Sequence, residues 1–236
     1  MSPSNPRRPK KSDSSKPWMR PRSDRQMITI QPERHLIVCE GAKTEPNYFE
    51  GLEREINTKY PREKIRLKIE GEGKHTLFLL EQAKAYVAEE QAKRIGNIPN
   101  HVWLVYDQDS FSPDNFDNTK HNCDDLTSQG EIKYHALWSN QCMELWFLLH
   151  FSYLQSNLHR SEYLPKRDEC LEAIGAGEYT KNRGDIYAIL RPYLRSAIQN
   201  AKALKEWNNN PVPSQNTPGT NGFEIFESLS DYLDEI

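Results

Sequence analysis

Glu40, Asp107 and Asp109 are the residues whose type and spacing point to chemistry. Each stands at the carboxyl end of an apolar run. Leu36-Ile37-Val38-Cys39 leads into Glu40-Gly41, and Val102-Trp103-Leu104-Val105-Tyr106 leads into Asp107-Gln108-Asp109. Both runs read as buried strands of a parallel sheet. Open α/β sheets bind ligands beyond the carboxyl ends of their strands, so the three carboxylates should converge on one rim. Asp107 and Asp109, two apart at a strand end, can send both side chains to the same side. Carboxylates so placed repel one another unless a hard cation sits between them, and Mg²⁺ or Mn²⁺ is the expected ion. The chemistry implied is metal-assisted attack on a phosphate-bearing substrate, with Glu40 as a ligand or as a general base toward water. The plain alternative is an Asp pair that shapes a turn and a Glu40 that pairs with Lys43.

Other residues are candidates around this centre. Gly41 would let backbone approach a substrate closely; an ordinary tight turn explains it as well. Lys43, between strand and helix, could contact a phosphate with help from the helix N-terminus, or simply be solvated. Glu45 falls in the first helical turn, where the macrodipole favours a carboxylate with or without a metal. Glu144 interrupts an apolar stretch and needs a partner if buried; it could join the acidic cluster or orient a ligand from behind. Lys181 and Arg183 could stabilise charge on a phosphoryl group. Trp146, Phe147 and His150 read as core. Gly71-Glu72-Gly73-Lys74 lacks Walker A spacing and reads as a turn, so the chain is not expected to be its own ATPase.

The elements that must position these residues follow from periodicity. Residues 1–32 lack it and are expected to form a disordered tail. A first strand covers His35–Glu40. The next helix has Thr44 as its cap, Pro46 in its first turn, and an apolar stripe of Tyr48, Phe49, Leu52 and Ile56. Ile65–Ile69 alternates apolar and basic residues and reads as a strand near an edge. A helix over Thr76–Ile95 turns Leu77, Leu80, Ala83 and Val87 inward and is broken by Asn97–Asn100. Val102–Asp107 is the most apolar strand. A loop or helix from Ser112 to about Gly130, a strand over Ile132–Trp138 and a helix over Gln141–Phe151 follow. From Tyr163 onward the pattern is helical, interrupted at Gly175–Gly184 and at Asn208–Asn221, the latter read as a loop. The alternation of strands and helices predicts an α/β fold with a mostly parallel sheet flanked by helices. Residues 33–236 would form one domain whose helical C-terminal portion starts near 160.

Composition bounds the classes. No apolar run is long enough to span a membrane, and no apolar stretch follows the N-terminal basic residues, which argues against a secretory signal. Cys39, Cys123, Cys142 and Cys170 form no CxxC pair, so zinc is not expected and a reducing cytoplasmic setting fits. The formal net charge of −3 is uneven. Arg7, Arg8, Lys10, Lys11, Lys16, Arg20, Arg22 and Arg25 face only Asp13 and Asp24 in the first 25 residues, and the remainder is acidic. Such an arm suits contact with nucleic acid or another acidic surface, or mere solubility.

Glu40-Gly41 after one strand and Asp107-x-Asp109 after a later one resemble the Toprim domain of topoisomerases, bacterial primases and OLD-type nucleases. Three blocks narrow the resemblance: Cys39-Glu40-Gly41-Ala42-Lys43-Thr44-Glu45-Pro46-Asn47-Tyr48-Phe49, Tyr106-Asp107-Gln108-Asp109-Ser110-Phe111, and Ser139 through Phe151. Over residues 33–236 they resemble the RloB family, Toprim-like proteins of restriction-modification and other anti-phage loci. The resemblance implies a Toprim-like fold and a Mg²⁺- or Mn²⁺-dependent nuclease acting on DNA or RNA. Glu40, Asp107 and Asp109 would be its ligands, and Lys181 would answer to the downstream lysine of OLD-type enzymes. It also implies a partner ATPase subunit, for which Phe223, Ile225, Phe226, Leu229 and Leu233 could form a docking stripe, although core packing is the favoured reading of these residues. A homo-oligomer is left open. The chain departs from the pattern twice: Thr44 stands where a second acidic residue is common, with Glu45 one later, and Phe111 stands where topoisomerases carry a third Asp. The competing reading is a non-cleaving nucleic-acid or nucleotide sensor that reports to an ATPase.

Overall fold

In a computed structural model that describes residues 33–62, 64–71, 76–109 and 112–234 (side chains at 76–77 aside), four strands lie parallel and alternate with helices. They are β1 (Glu33–Cys39), β2 (Ile65–Gly71), β3 (His101–Asp107) and β4 (Lys133–Asn140). A two-residue strand β5 (Gly219–Thr220) pairs antiparallel with β4, and the sheet order is β2-β1-β3-β4-β5. The helices between the parallel strands are α1 (Thr44–Lys59), α2 (Thr76–Ala92) and α3 (Pro113–Gln129). The rest of the chain carries α4 (Glu144–Leu149), α5 (Arg160–Ala173), α6 (Ile186–Leu190), α7 (Leu194–Asn208) and α8 (Glu224–Ser228). The expected tail over 1–32, the turn residues 72–74, Leu77's side chain and Phe111 lie outside the described residues.

Both faces of the sheet are covered, which is why β1 and β3 are apolar without alternation. One core joins Ile37, Cys39, Trp103, Val105 and Leu137 to α1, α4 and the C-terminal helices. The other joins Leu36, Val38, Val102, Leu104 and Tyr106 to α2 and α3. The stripe of Tyr48, Phe49, Leu52 and Ile56 is fully buried, as its spacing required. β2 is the edge strand, also as read from its alternation. The chain leaves β1 toward β2 and then returns to β3 on the other side. The carboxyl ends of β1 and β3 therefore flank a topological switch point, where such sheets leave a crevice.

Several expectations need correction. Thr44 makes no cap: Lys43 occupies the N-cap position and no side chain bonds there. α2 ends at Ala92, and its inward positions include Leu79 beside Leu80, Ala83 and Val87. The apolar helix after β4 is only Glu144–Leu149, so Cys142 precedes it, buried in the loop. α5 begins at Arg160 rather than Tyr163, because His159 and Glu162 form a capping box. Phe223, Ile225, Phe226, Leu229 and Leu233 belong to the first core, so they offer no exposed docking stripe. Among the described residues no helix is long and apolar enough to cross a membrane.

The stretch read as a loop, 208–221, contains β5 and closes the far edge of β4. Asn221 continues the pairing with its side chain: the Trp138 N–H donates to its Oδ1 (2.7 Å), and its Nδ2 donates to the Ala136 carbonyl (2.7 Å). The amide thus stands in for one residue of a strand. Asn221→Ala should strand a backbone donor and an acceptor and cost roughly 2–4 kcal/mol in urea unfolding. A loss below about 0.5 kcal/mol, typical of a neutral surface change, would contradict this role.

Candidate metal centre

A cleft of about 380 Å³ opens at the carboxyl ends of β1 and β3. Its walls include Glu40, Gly41, Lys43, Glu45, Asp107, Asp109, Glu144 and Lys181, together with Met143, Arg160 and Leu164. Residues from the β1–α1 loop, the end of β3, the start of α4, α5 and the loop before α6 thus face one space. Arg183 does not line it. That side chain is spent on the Ala176, Gly177 and Glu178 carbonyls and on Asp185, which makes it a loop brace.

Backbone bonds register the acidic groups. The Glu40 N–H donates to the Val105 carbonyl (2.8 Å), and the Asp107 N–H donates to Glu40 Oε2 (3.2 Å). The Glu40 carboxylate therefore leans onto the end of β3. Asp107 Oδ2 accepts the Met143 N–H (3.1 Å), which ties it to the approach of α4. Asp109 reaches the cleft differently from the strand-alternation argument. β3 ends at Asp107, and Asp109 turns with φ 44°, its N–H held by the Gln141 carbonyl (3.0 Å). Asp is among the few residue types that adopt this left-handed conformation readily.

Gly41 lines the cleft and has a steric role as well. A Cβ there would lie 2.0 Å from Glu45 Oε2, so the missing side chain leaves room for the Glu45 carboxylate to fold back over the loop. Lys43 Nζ donates to Asn182 Oδ1 (2.6 Å), Asn47 Nδ2 to the Lys181 carbonyl (2.9 Å) and Arg54 to the Gly184 carbonyl (2.6 Å). These bonds staple residues 181–184 onto α1 and set Lys181 at the rim. Lys43 is thus a bridging residue between loops as well as a cation of the cleft.

Two arginines, neither singled out by motif, pair with acidic residues of the cleft, Arg160 in its lining and Arg167 behind it. Arg160 pairs with Asp109. Arg167, 5% exposed, pairs with the buried Glu144 (3.1 Å) and lies 4.1 Å from the centroid of the Tyr179 ring. Glu144 is therefore buried with the partner its surroundings demand. Glu45 and Asp107 show the cost of burial beside other carboxylates. Burial, reinforced by Glu144, Glu40 and Asp109, pushes Glu45 from about 4.5 to about 7. Burial also pushes Asp107 well above the carboxylate range, aided by Glu45, Glu144 and Asp109 and opposed by the Met143 N–H.

An all-oxygen donor set of this kind fits a hard ion such as Mg²⁺ or Mn²⁺. The spacing is looser than a closed site. Among the described residues, the set of three ligand atoms lying within 4.8 Å of one another is Glu33, His35 and His101, not the acidic trio. That second set is unsuited to a metal. The His35 and His101 rings stack with planes 8° apart, so their in-plane lone pairs cannot meet at one point. The Trp103 indole N–H also donates to His35 Nδ1 (3.1 Å), which keeps the proton on Nε2, where it donates to Glu33 (3.0 Å). Tyr232 donates to the other Glu33 oxygen (2.8 Å). This is a hydrogen-bonded ladder of stacked rings that ties the C-terminal segment to the sheet.

A family model described as RloB-like protein matches residues 35–229. No curated protein and no solved structure matches the chain.

The burial of Glu45 beside other carboxylates predicts a pH dependence. Glu45 holds a proton more tightly folded than unfolded, so its contribution to stability falls as pH rises from about 4.5 to about 7. His101, His135 and His150, each pushed down to about 4 by burial, act in the opposite sense between about 4 and 6.5. The difference between variants isolates the first effect. In EDTA, Glu45→Gln should gain stability over the wild type across that interval, up to roughly 3 kcal/mol. A difference that stays flat with pH would contradict the crowding of charge.

Proposed function

The chain belongs to the RloB-like family, and on that premise we propose that it is a Mg²⁺- or Mn²⁺-dependent phosphodiesterase acting on nucleic acid in anti-phage defence. The observation that carries this reading is the gathering of Glu40, Asp107, Asp109 and Lys181, from separate elements, in one cleft at the switch point of the sheet. Glu40, Asp107 and Asp109 are the residues that would hold the ion. A divalent ion bound there supplies Lewis-acid polarisation of a phosphodiester and a more acidic water.

The protein's own groups have distinct tasks in this scheme. Glu40, poised over the Asp107 amide, accepts a proton from the attacking water. Lys181 and Lys43 face the cleft and meet the non-bridging oxygens of the phosphate. Arg160 neutralises Asp109 until substrate offers its guanidinium a phosphate instead. Leu164 and Met143 form an apolar flank that limits water. A non-cleaving sensor partnered with an ATPase is the competing reading. It is supported by the Arg160–Asp109 pair, which occupies one proposed ligand.

Labelled DNA, RNA and tRNA incubated with the protein, with and without Mn²⁺, separate the two. The proposal expects cleavage of at least one of them only with the ion. Glu40→Gln and Asp107→Asn should each lower its rate by about two orders of magnitude or more, with unfolding transitions intact. Cleavage by either variant at the wild-type rate would remove the proposal, and Mn²⁺-dependent affinity without turnover would favour the sensor.

A further inference from the structure

A recess of about 420 Å³ opens along the outer edge of the sheet, at β2. Among the described residues, Arg34, Arg62, Arg66 and Lys68 line it, against one carboxylate, Glu53. Arg34 and Arg66 are direct cross-strand partners, so two guanidinium stems stand side by side on one face. Like charges so placed cost stability. Their contacts do not offset this. Arg66 donates to the Arg62 carbonyl (3.0 Å) and to Asn97 Oδ1 (2.9 Å), both neutral. Arg34 Nε is buried without a hydrogen-bond partner. Glu53 accepts from Asn57 (3.3 Å), and Lys68 is taken by Glu70 (2.7 Å). Basic residues on an edge strand commonly serve to discourage aggregation. Three guanidinium groups gathered in a concave site, with no carboxylate partner among the described residues, suit an anion as well, and guanidinium forks match phosphate oxygens.

The recess and the cleft share an edge. β2 runs from the recess to Gly71, where an added Cβ would lie 3.1 Å from the Gly41 carbonyl in the cleft loop. From Arg66 to Gly71 the strand rises about 16 Å, a distance that a stacked nucleic-acid strand covers in about five nucleotides. We propose that the recess of Arg34, Arg62 and Arg66 holds a backbone phosphate of a nucleic-acid strand whose reacting phosphodiester lies in the Glu40–Asp107 cleft. The proposal rests on the nucleic-acid reading above and adds a second anchoring point with a defined reach.

Arg62 is exposed, and Arg62→Gln leaves its carbonyl in place for Arg66. Fluorescein-labelled single-stranded DNA and RNA of about twelve nucleotides, and of about three, are titrated with protein in EDTA at several KCl concentrations. Arg62→Gln and Arg34→Gln, checked by thermal melting, should each weaken binding of the longer strands severalfold and reduce the salt slope by about one. The short strands cannot reach from cleft to recess, and their binding should not change between the wild type and Arg62→Gln. Unchanged affinity and slope for the longer strands in Arg62→Gln, or no binding by the wild type, would overturn the proposal. The two readings fail separately. Mn²⁺-dependent cleavage by the wild type with Arg62→Gln binding normally sinks the recess alone. Binding that depends on Arg62 without any cleavage sinks the phosphodiesterase alone.

Discussion

The burial of Glu45 and Glu144 in a cleft shared with three other carboxylates is the constraint on which the rest of this structure depends. Glu40, Glu45, Asp107, Asp109 and Glu144 line one cleft. Burial penalises the charged form of Glu45 and Asp107, and the neighbouring carboxylates add to that penalty. The fold meets this in parts. Arg167 takes Glu144, Arg160 takes Asp109, and backbone N–H groups of Asp107 and Met143 support Glu40 and Asp107. Glu45 and Asp107 still hold protons far above their usual range.

The sheet makes this crowding unavoidable. β1 and β3 are neighbours, and both end toward the switch point, so any acidic residue placed after either strand meets the other. The C-terminal half supplies one wall of the cleft. α4 packs its apolar side chains into the first core and presents Glu144 at its start. The loop at 181–184 is bonded to α1 at three points, which brings Lys181 over the cleft. The portion after β4 is therefore a structural part of the site rather than an appendage.

The strands that position the centre were readable because burial on both faces leaves no alternation to misread. The same holds for α1, whose buried stripe repeats at helical spacing. β5 was not readable: Gly219–Thr220 is too short to carry a pattern, and its pairing depends on the Asn221 side chain. Glu40, Asp107 and Asp109 were legible as a group from strand ends, although Asp109 arrives by a left-handed turn that alternation does not describe. Arg160 and Arg167 escaped notice because an arginine on a helix normally reads as a solvated face. Their partners lie 51 and 23 residues away in the chain, and only the folding of α5 against α4 and the end of β3 brings them together. Glu45's fold-back over Gly41 is likewise a matter of three-dimensional room.

The most direct test of the account is equilibrium binding of Mn²⁺, read by the loss of the free-ion electron paramagnetic resonance signal. The wild type should bind the ion saturably, and the double variant Glu40→Gln, Asp107→Asn should not. Absence of saturable binding, or identical binding by the double variant, would contradict the claim that these carboxylates form a cation site.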